Sequence, residues 1–169
     1  MNYAQRKLEW CLKKAEKELT EKGTHRGLIT TKPDKEKARE HIKKAEYYLK
    51  ATDHLKTGGY SDISASTIFY SIYHCFLAIA TKFGYESRNQ ECTFALIHTL
   101  IAERKIAIEK ETINKIASLE IDETTTKTTT SIREQYQYGT NLSISEDLYT
   151  ELFDLAKEIL SKTKTIIES

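Results

Sequence analysis

Residues 63 to 81, ISASTIFYSIYHCFLAIAT, contain no Asp, Glu, Lys or Arg, although 30% of the whole chain is charged. An uncharged run of this length belongs either in a bilayer or in the middle of a helical bundle. Its hydroxyls decide between them. Ser64, Ser66, Thr67, Tyr70, Ser71, Tyr73 and His74 all need hydrogen-bond partners, and lipid offers none. No basic cluster or aromatic belt sets a membrane orientation. The run is therefore expected to be a central helix enclosed by protein, and no membrane association is expected.

The flanking chain supplies helices to enclose it. Ala4, Leu8, Cys11, Ala15 and Leu19 recur every three or four residues, with Trp10 and Leu12 expected to widen the stripe, predicting a helix over residues 2 to 22 that Gly23 ends. A loop over residues 23 to 33 follows, with Pro33 in a helix's first turn. Ala38, Ile42, Ala45, Leu49, Thr52 and Leu55 mark a second helix, from about 34 to 57, stopped by Gly58-Gly59. Ser61 or Asp62 can cap the central helix, which ends near Gly84. Further helices are predicted over 89 to 103 and 108 to 119. The hydroxyl-rich DETTTKTTTS, residues 122 to 131, reads as an exposed connection. Order resumes from Ile132 to Tyr138. Ser145, Glu146 and Asp147 then start a closing helix along Leu148, Leu152, Leu155, Ile159, Thr163 and Ile166.

The predicted fold is all-α, an antiparallel up-and-down bundle of about five to seven helices. It forms one domain, with an N-terminal helix and loop (residues 1 to 33) preceding a bundle (residues 34 to 169). A single proline and six glycines leave too few turns for a sandwich or barrel.

Composition limits the chemistry. The formal net charge is +1, so global charge does not advertise nucleic-acid binding. The amino terminus has no apolar core or cleavage site of a secretory signal. Cys11, Cys75 and Cys92 are odd in number and far apart, with no C-x-x-C pair. They read as small hydrophobes on helix faces rather than a disulfide framework, and a cytoplasmic location is expected. The five histidines lack the three- or four-residue spacing of a helical metal site, so no metal or other cofactor is predicted. There is no glycine-rich phosphate loop and no nucleophile elbow.

Thr67, Tyr70 and His74 stand at i, i+3 and i+7 on one face of the central helix, with Phe69, Ile72, Phe76 and Ile79 on another. Two roles fit Tyr70 and His74. They are core residues whose polar tips bond locally, or they form a site in which an imidazole moves protons near neutral pH. Arg133, Tyr136 and Tyr138, beside the threonine run, either cap the bundle or stack on a base. Arg88-Asn89 and His98 offer a second arginine–histidine pair, but nine residues intervene and the gap falls across the start of a helix, which sets the pair aside.

Residues 36 to 167 resemble the HEPN family of small helical domains. The resemblance is carried by the Gly58-Gly59-Tyr60 turn, the Phe69-Tyr70 pair, His74 one turn on, the aliphatic run to Gly84, and IREQYQYG ahead of the last amphipathic helix. It implies an antiparallel, commonly dimeric bundle. Many such domains are RNA-cleaving toxins or antiviral effectors; others are non-catalytic partners of a minimal nucleotidyltransferase. In the nucleases an arginine one to two turns before the histidine holds the scissile phosphate, and the histidine moves the proton without a metal. Here His74 matches, but Ser66 or Thr67 stands where the arginine would be, and a threonine cannot replace a planar cationic fork. The resemblance thus implies a HEPN-like homodimer that binds a nucleotide, RNA or an antitoxin-type nucleotidyltransferase. The catalytic candidates are His74 and Tyr70, and the nucleotide or RNA contacts are Arg88, Arg133, Tyr136 and Tyr138. One alternative is a metal-independent endoribonuclease using His74 with an arginine from elsewhere in the chain or from a second subunit. The other is a structural scaffold.

Overall fold

The computed structural model describes residues 1–117 and 128–169. Among them are seven helices and one two-stranded ribbon: α1 (Tyr3–Lys22), β1 (Leu28–Thr30), α2 (Lys35–Thr57), α3 (Ser61–Lys82), β2 (Tyr85–Ser87), α4 (Gln90–Ala102), α5 (Lys110–Ile116), α6 (Thr129–Tyr138) and α7 (Glu146–Glu168). The fold is an all-α helical bundle, as the periodicity predicts.

The uncharged run is α3, and α2, α7, α6 and α4 pack around it. Its Ile68, Phe69, Ile72, Phe76 and Ile79 are fully buried. Each such side chain contributes roughly 1.5–3 kcal/mol by leaving water. The helix is long and apolar enough to cross a membrane, yet most of it is enclosed by protein here. Its hydroxyls find partners. The Ser71 hydroxyl donates to the Ala45 carbonyl at 2.8 Å, and Thr67 and Thr52 share a 2.6 Å hydroxyl contact.

Those contacts also give the direction of packing. Thr52 meets Thr67, Ala45 meets Ser71 and His41 meets His74, so positions rise along α3 as they fall along α2. The two helices form an antiparallel hairpin around Gly58-Gly59. Gly59, not Gly58, carries the left-handed backbone, at φ 86°.

The local signals mostly act as expected. Asn2 and Gln5 form a capping box at the start of α1, and Gly23 closes it with φ 70°. Ser145 caps α7. Lys82, at the end of α3, donates to the Ile166 carbonyl and to the last residue, covering the free carbonyls of α7.

Several expectations are corrected. Residues 23 to 33 are not all loop. β1 pairs antiparallel with β2, Leu28 opposite Ser87 and Thr30 opposite Tyr85, because two short extended segments on either side of the α2–α3 hairpin satisfy each other's backbone. Pro33 precedes α2 rather than entering it, and Asp34 is the N-cap, accepting from the Lys37 N–H at 2.9 Å. Neither Ser61 nor Asp62 caps α3. That position is Tyr60, and the Ser61 hydroxyl accepts from the Ile144 N–H instead. Much of the predicted threonine connection, residues 122 to 127, lies outside the described residues, as do 118 and 119 of the fifth predicted helix. Thr128 to Ser131 are not an exposed connection. Thr128 caps α6, and the Thr129 and Thr130 hydroxyls donate to the Lys115 and Ile116 carbonyls. Short hydroxyl side chains are poor inside a helix and good at its start.

The cysteines depart furthest from expectation. Cys11 and Cys92, 81 positions apart in the chain, form a disulfide joining α1 to the first turn of α4. Only Cys75 is free, and burial in the core pushes its thiol up to about 12. A persistent disulfide belongs to oxidising surroundings, so cysteine usage no longer argues for the cytoplasm.

Candidate functional site

The α2–α3 hairpin creates a polar seam beside the core. On α2, Lys37, His41, Lys44 and Tyr48 follow one another at four, three and four residues, a single stripe next to the apolar Ala38, Ile42 and Ala45. On α3, Thr67, Tyr70 and His74 share the facing stripe, as their spacing predicts. The Ser71 bond to Ala45 fixes the two helices one turn from His74.

His74 is half-buried, and its ring is surrounded by side chains from α2. His41 Nδ1 lies 3.1 Å from His74 Nδ1, with ring centroids 5.3 Å apart. Tyr48 stacks on His74 at 5.6 Å and leans on Tyr70 at 5.7 Å. The Lys44 ammonium sits 4.9 Å from the Tyr47 ring centroid and 5.3 Å from that of Tyr48.

Electrostatics follow from this packing. One imidazole of the pair donates and the other accepts, so a proton on both Nδ1 atoms would set two N–H groups against each other. Burial, then the His41 and Lys44 charges, hold His74 down at about 4. Burial, then Lys37, lower His41 as well. At neutral pH the seam holds two uncharged imidazoles, two tyrosines and two exposed lysines, Lys37 and Lys44.

No guanidinium joins them. The chain has six arginines, all described. Arg39 is committed to Glu168 and Glu36, and Arg6 donates to the Met1 carbonyl. Arg88 is exposed at the end of the ribbon and bonds Glu86 at 3.0 Å. Arg133 is 8% exposed on α6, its guanidinium 4.4 Å from the Phe69 ring centroid, with Glu134 and Gln137 at its edge. Arg26 and Arg104 belong to surface turns. The ring partners of His74 are His41 and Tyr48, and no arginine is among them.

The expected site residues therefore separate. Tyr70 and His74 come together. Arg133 and Tyr136 share α6, where Tyr136 packs against the core, while Tyr138 is 78% exposed. Tyr73 turns the other way, stacking on Phe69 and touching the Thr93 hydroxyl. His98 contacts the Ala117 carbonyl at 3.0 Å and does not meet Arg88. His41, Lys44 and Tyr48 were missed by sequence reasoning. Their signal is a polar stripe beside the apolar one on α2; the Gly58-Gly59 turn folds that helix back along α3 but does not fix which of its residues meets His74. Among the described residues no group of three or more His, Cys, Asp or Glu side chains could hold a metal ion. Searches with protein-family models and against curated proteins find no match to this chain.

Proposed function

We propose that this protein is a HEPN-like helical module that binds RNA or a nucleotide along the α2–α3 seam and does not cleave it. The observation that carries the reading is the His41–His74 contact, walled by Tyr48 and Tyr70 beside Lys44, with no arginine. Flat rings stack on bases of any sequence, and an adjacent ammonium attracts the phosphate backbone. The resemblance adds a setting, a dimer working as one member of a toxin–antitoxin or defence pair with a nucleotidyltransferase partner. Co-purification with that partner tests this part.

The paired imidazoles favour one second reading, an acid–base ribonuclease. Its weakness is protonation. With His74 at about 4, roughly one molecule in a thousand carries the acid form at pH 7. Without a guanidinium, the phosphate also loses a clamp whose removal typically costs several kcal/mol.

Single-stranded RNA in EDTA and low salt separates the readings. The binding reading expects retention of intact RNA, weakening as salt rises and falling at least several-fold in Tyr48→Ala and Lys44→Ala. RNA degradation that stops in His74→Ala establishes the nuclease. Absence of both binding and cleavage leaves the scaffold.

A further inference from the structure

Outside residues 36 to 167, and apart from the α2–α3 seam, α1 makes one wall of a cleft of about 660 Å³. Its other walls are the turn after α1 and the start of α4, and Trp10, Lys14, Glu18, Lys22 and Arg26 line it. From this lining we infer that the cleft is a binding site for a nucleoside phosphate, with the base on Trp10 and the phosphates among Lys14, Lys22 and Arg26.

Three observations lead there. First, Trp10 does not join the apolar stripe of α1 as its spacing predicts: it is 51% exposed and stands outside the core, although an indole usually buries itself. The Lys7 and Lys14 ammonium groups each sit 4.8 Å from its ring centroid, which holds it as a flat platform at the cleft wall.

Second, the cations outnumber available anions. Lys14, Lys22 and Arg26 form no ion pair among the described residues. Of the two carboxylates lining the cleft, Glu18 accepts from the Arg26 backbone N–H at 2.9 Å, and Glu91 is bonded to Lys7 at 3.0 Å. The Arg26 backbone bond, then the nearby Lys14 and Lys22 charges, keep the Glu18 carboxyl below its usual value against the pull of desolvation. At about 1.5 Å of rise per residue, Lys14 and Lys22 lie about 6 and 18 Å along α1 from Trp10. A ring followed by a chain of phosphates matches that run; a lone phosphate would leave Trp10 without a role.

Third, the walls are held in place before any ligand arrives. The Cys11–Cys92 disulfide ties α1 to α4 at the base of the cleft. The Gly27 N–H donates to His25 Nδ1 at 3.3 Å, which leaves Nε2–H to face Glu86 Oε1 at 3.2 Å. The Arg88 N–H donates to the Gly27 carbonyl at 2.8 Å, so both sides of Arg26 are pinned to the ribbon. The backbone of the walls therefore needs little ordering on binding, and the cost falls on the exposed Lys14, Lys22 and Arg26 side chains.

The shared chemistry, a base bearing phosphates, comes from a free nucleotide or from the 5′ end of an RNA. Trp10 is the only tryptophan of the chain, so its fluorescence reports the site directly. The full-length, oxidised protein is titrated with ATP, with a short 5′-phosphorylated RNA and with inorganic tripolyphosphate. A saturable quench by ATP supports a free nucleotide; a quench by the RNA alone supports the RNA end. In either case Lys22→Glu with Arg26→Glu weakens the response at least tenfold, while His74→Ala leaves it unchanged, which separates this site from the seam. No saturable quench by ATP or RNA at millimolar concentration overturns the proposal. So does displacement of ATP by tripolyphosphate at equal affinity, or a quench that survives the double charge reversal.

Discussion

His41 Nδ1 and His74 Nδ1 lie 3.1 Å apart across the α2–α3 hairpin, 33 residues apart in the chain. That contact joins two imidazoles that are both easier to protonate in the unfolded chain than in the folded one.

Stability therefore depends on pH in a definite direction. The folded His74 holds its proton only below about 4, against about 6.5 when unfolded. As pH falls below about 6.5 the unfolded chain takes up protons that the folded chain refuses, so the imidazole pair costs stability increasingly between about 6.5 and 4, while ion-paired carboxylates such as Glu168 extend the loss to lower pH. His41 is shifted the same way and adds to the slope. Denaturant melts at stepped pH check this, with His74→Asn expected to flatten the loss. A wild-type midpoint that is constant over the window refutes it.

Phe69 is fully buried and touches Tyr70, Tyr73, Phe94 and the Arg133 guanidinium. Phe69→Ala leaves a cavity and removes the face on which a buried cation rests. The expected cost is about 3–5 kcal/mol, measured by chemical denaturation. Arg133→Met keeps most of the volume and removes the charge, and is expected to cost less.

Gly84 has φ 79°, and a Cβ there would stand 2.8 Å from the Thr31 carbonyl oxygen and 3.2 Å from Pro33 Cδ. Thr31 is held in place, since its N–H donates to the Gly84 carbonyl at 2.7 Å. Gly84→Ala is expected to destabilise by about 1–3 kcal/mol, read as a lower melting temperature, through a strained backbone and a displaced strand partner. Gly59→Ala meets no neighbour and carries only the backbone strain, so it is expected to cost less.

The disulfide closes a long loop, and its loss is expected to cost on the order of 2–5 kcal/mol. Cys11→Ser with Cys92→Ser should melt earlier than wild type, and reductant should shift wild type but not the double variant. Thiol labelling is expected to find no reactive cysteine in the native oxidised protein and one, Cys75, after unfolding without reductant. Three reactive thiols in the unfolded, unreduced chain would remove the bridge.

Helix placement was legible in the sequence because it is a local matter. Apolar residues every three or four positions, Gly23 and Gly59 with positive φ, and Ser145 ahead of α7 act within a turn or two of themselves. The uncharged run announced the central helix for the same reason, since nothing but enclosure suits nineteen residues with hydroxyls and no charge. Thr67, Tyr70 and His74 could be put on one face by counting alone.

What faces that stripe could not be counted from α3. The pairing of His41 with His74, Tyr48 against the imidazole, and the absence of arginine beside them depend on how α2 and α3 rotate and slide against each other. The whole packed interface selects that register. The Cys11–Cys92 bridge, the β1–β2 ribbon and the cleft at Trp10 likewise join segments distant in the chain. Periodicity assigns each residue to a face of its own helix; only the close-packed tertiary structure determines which other face it meets.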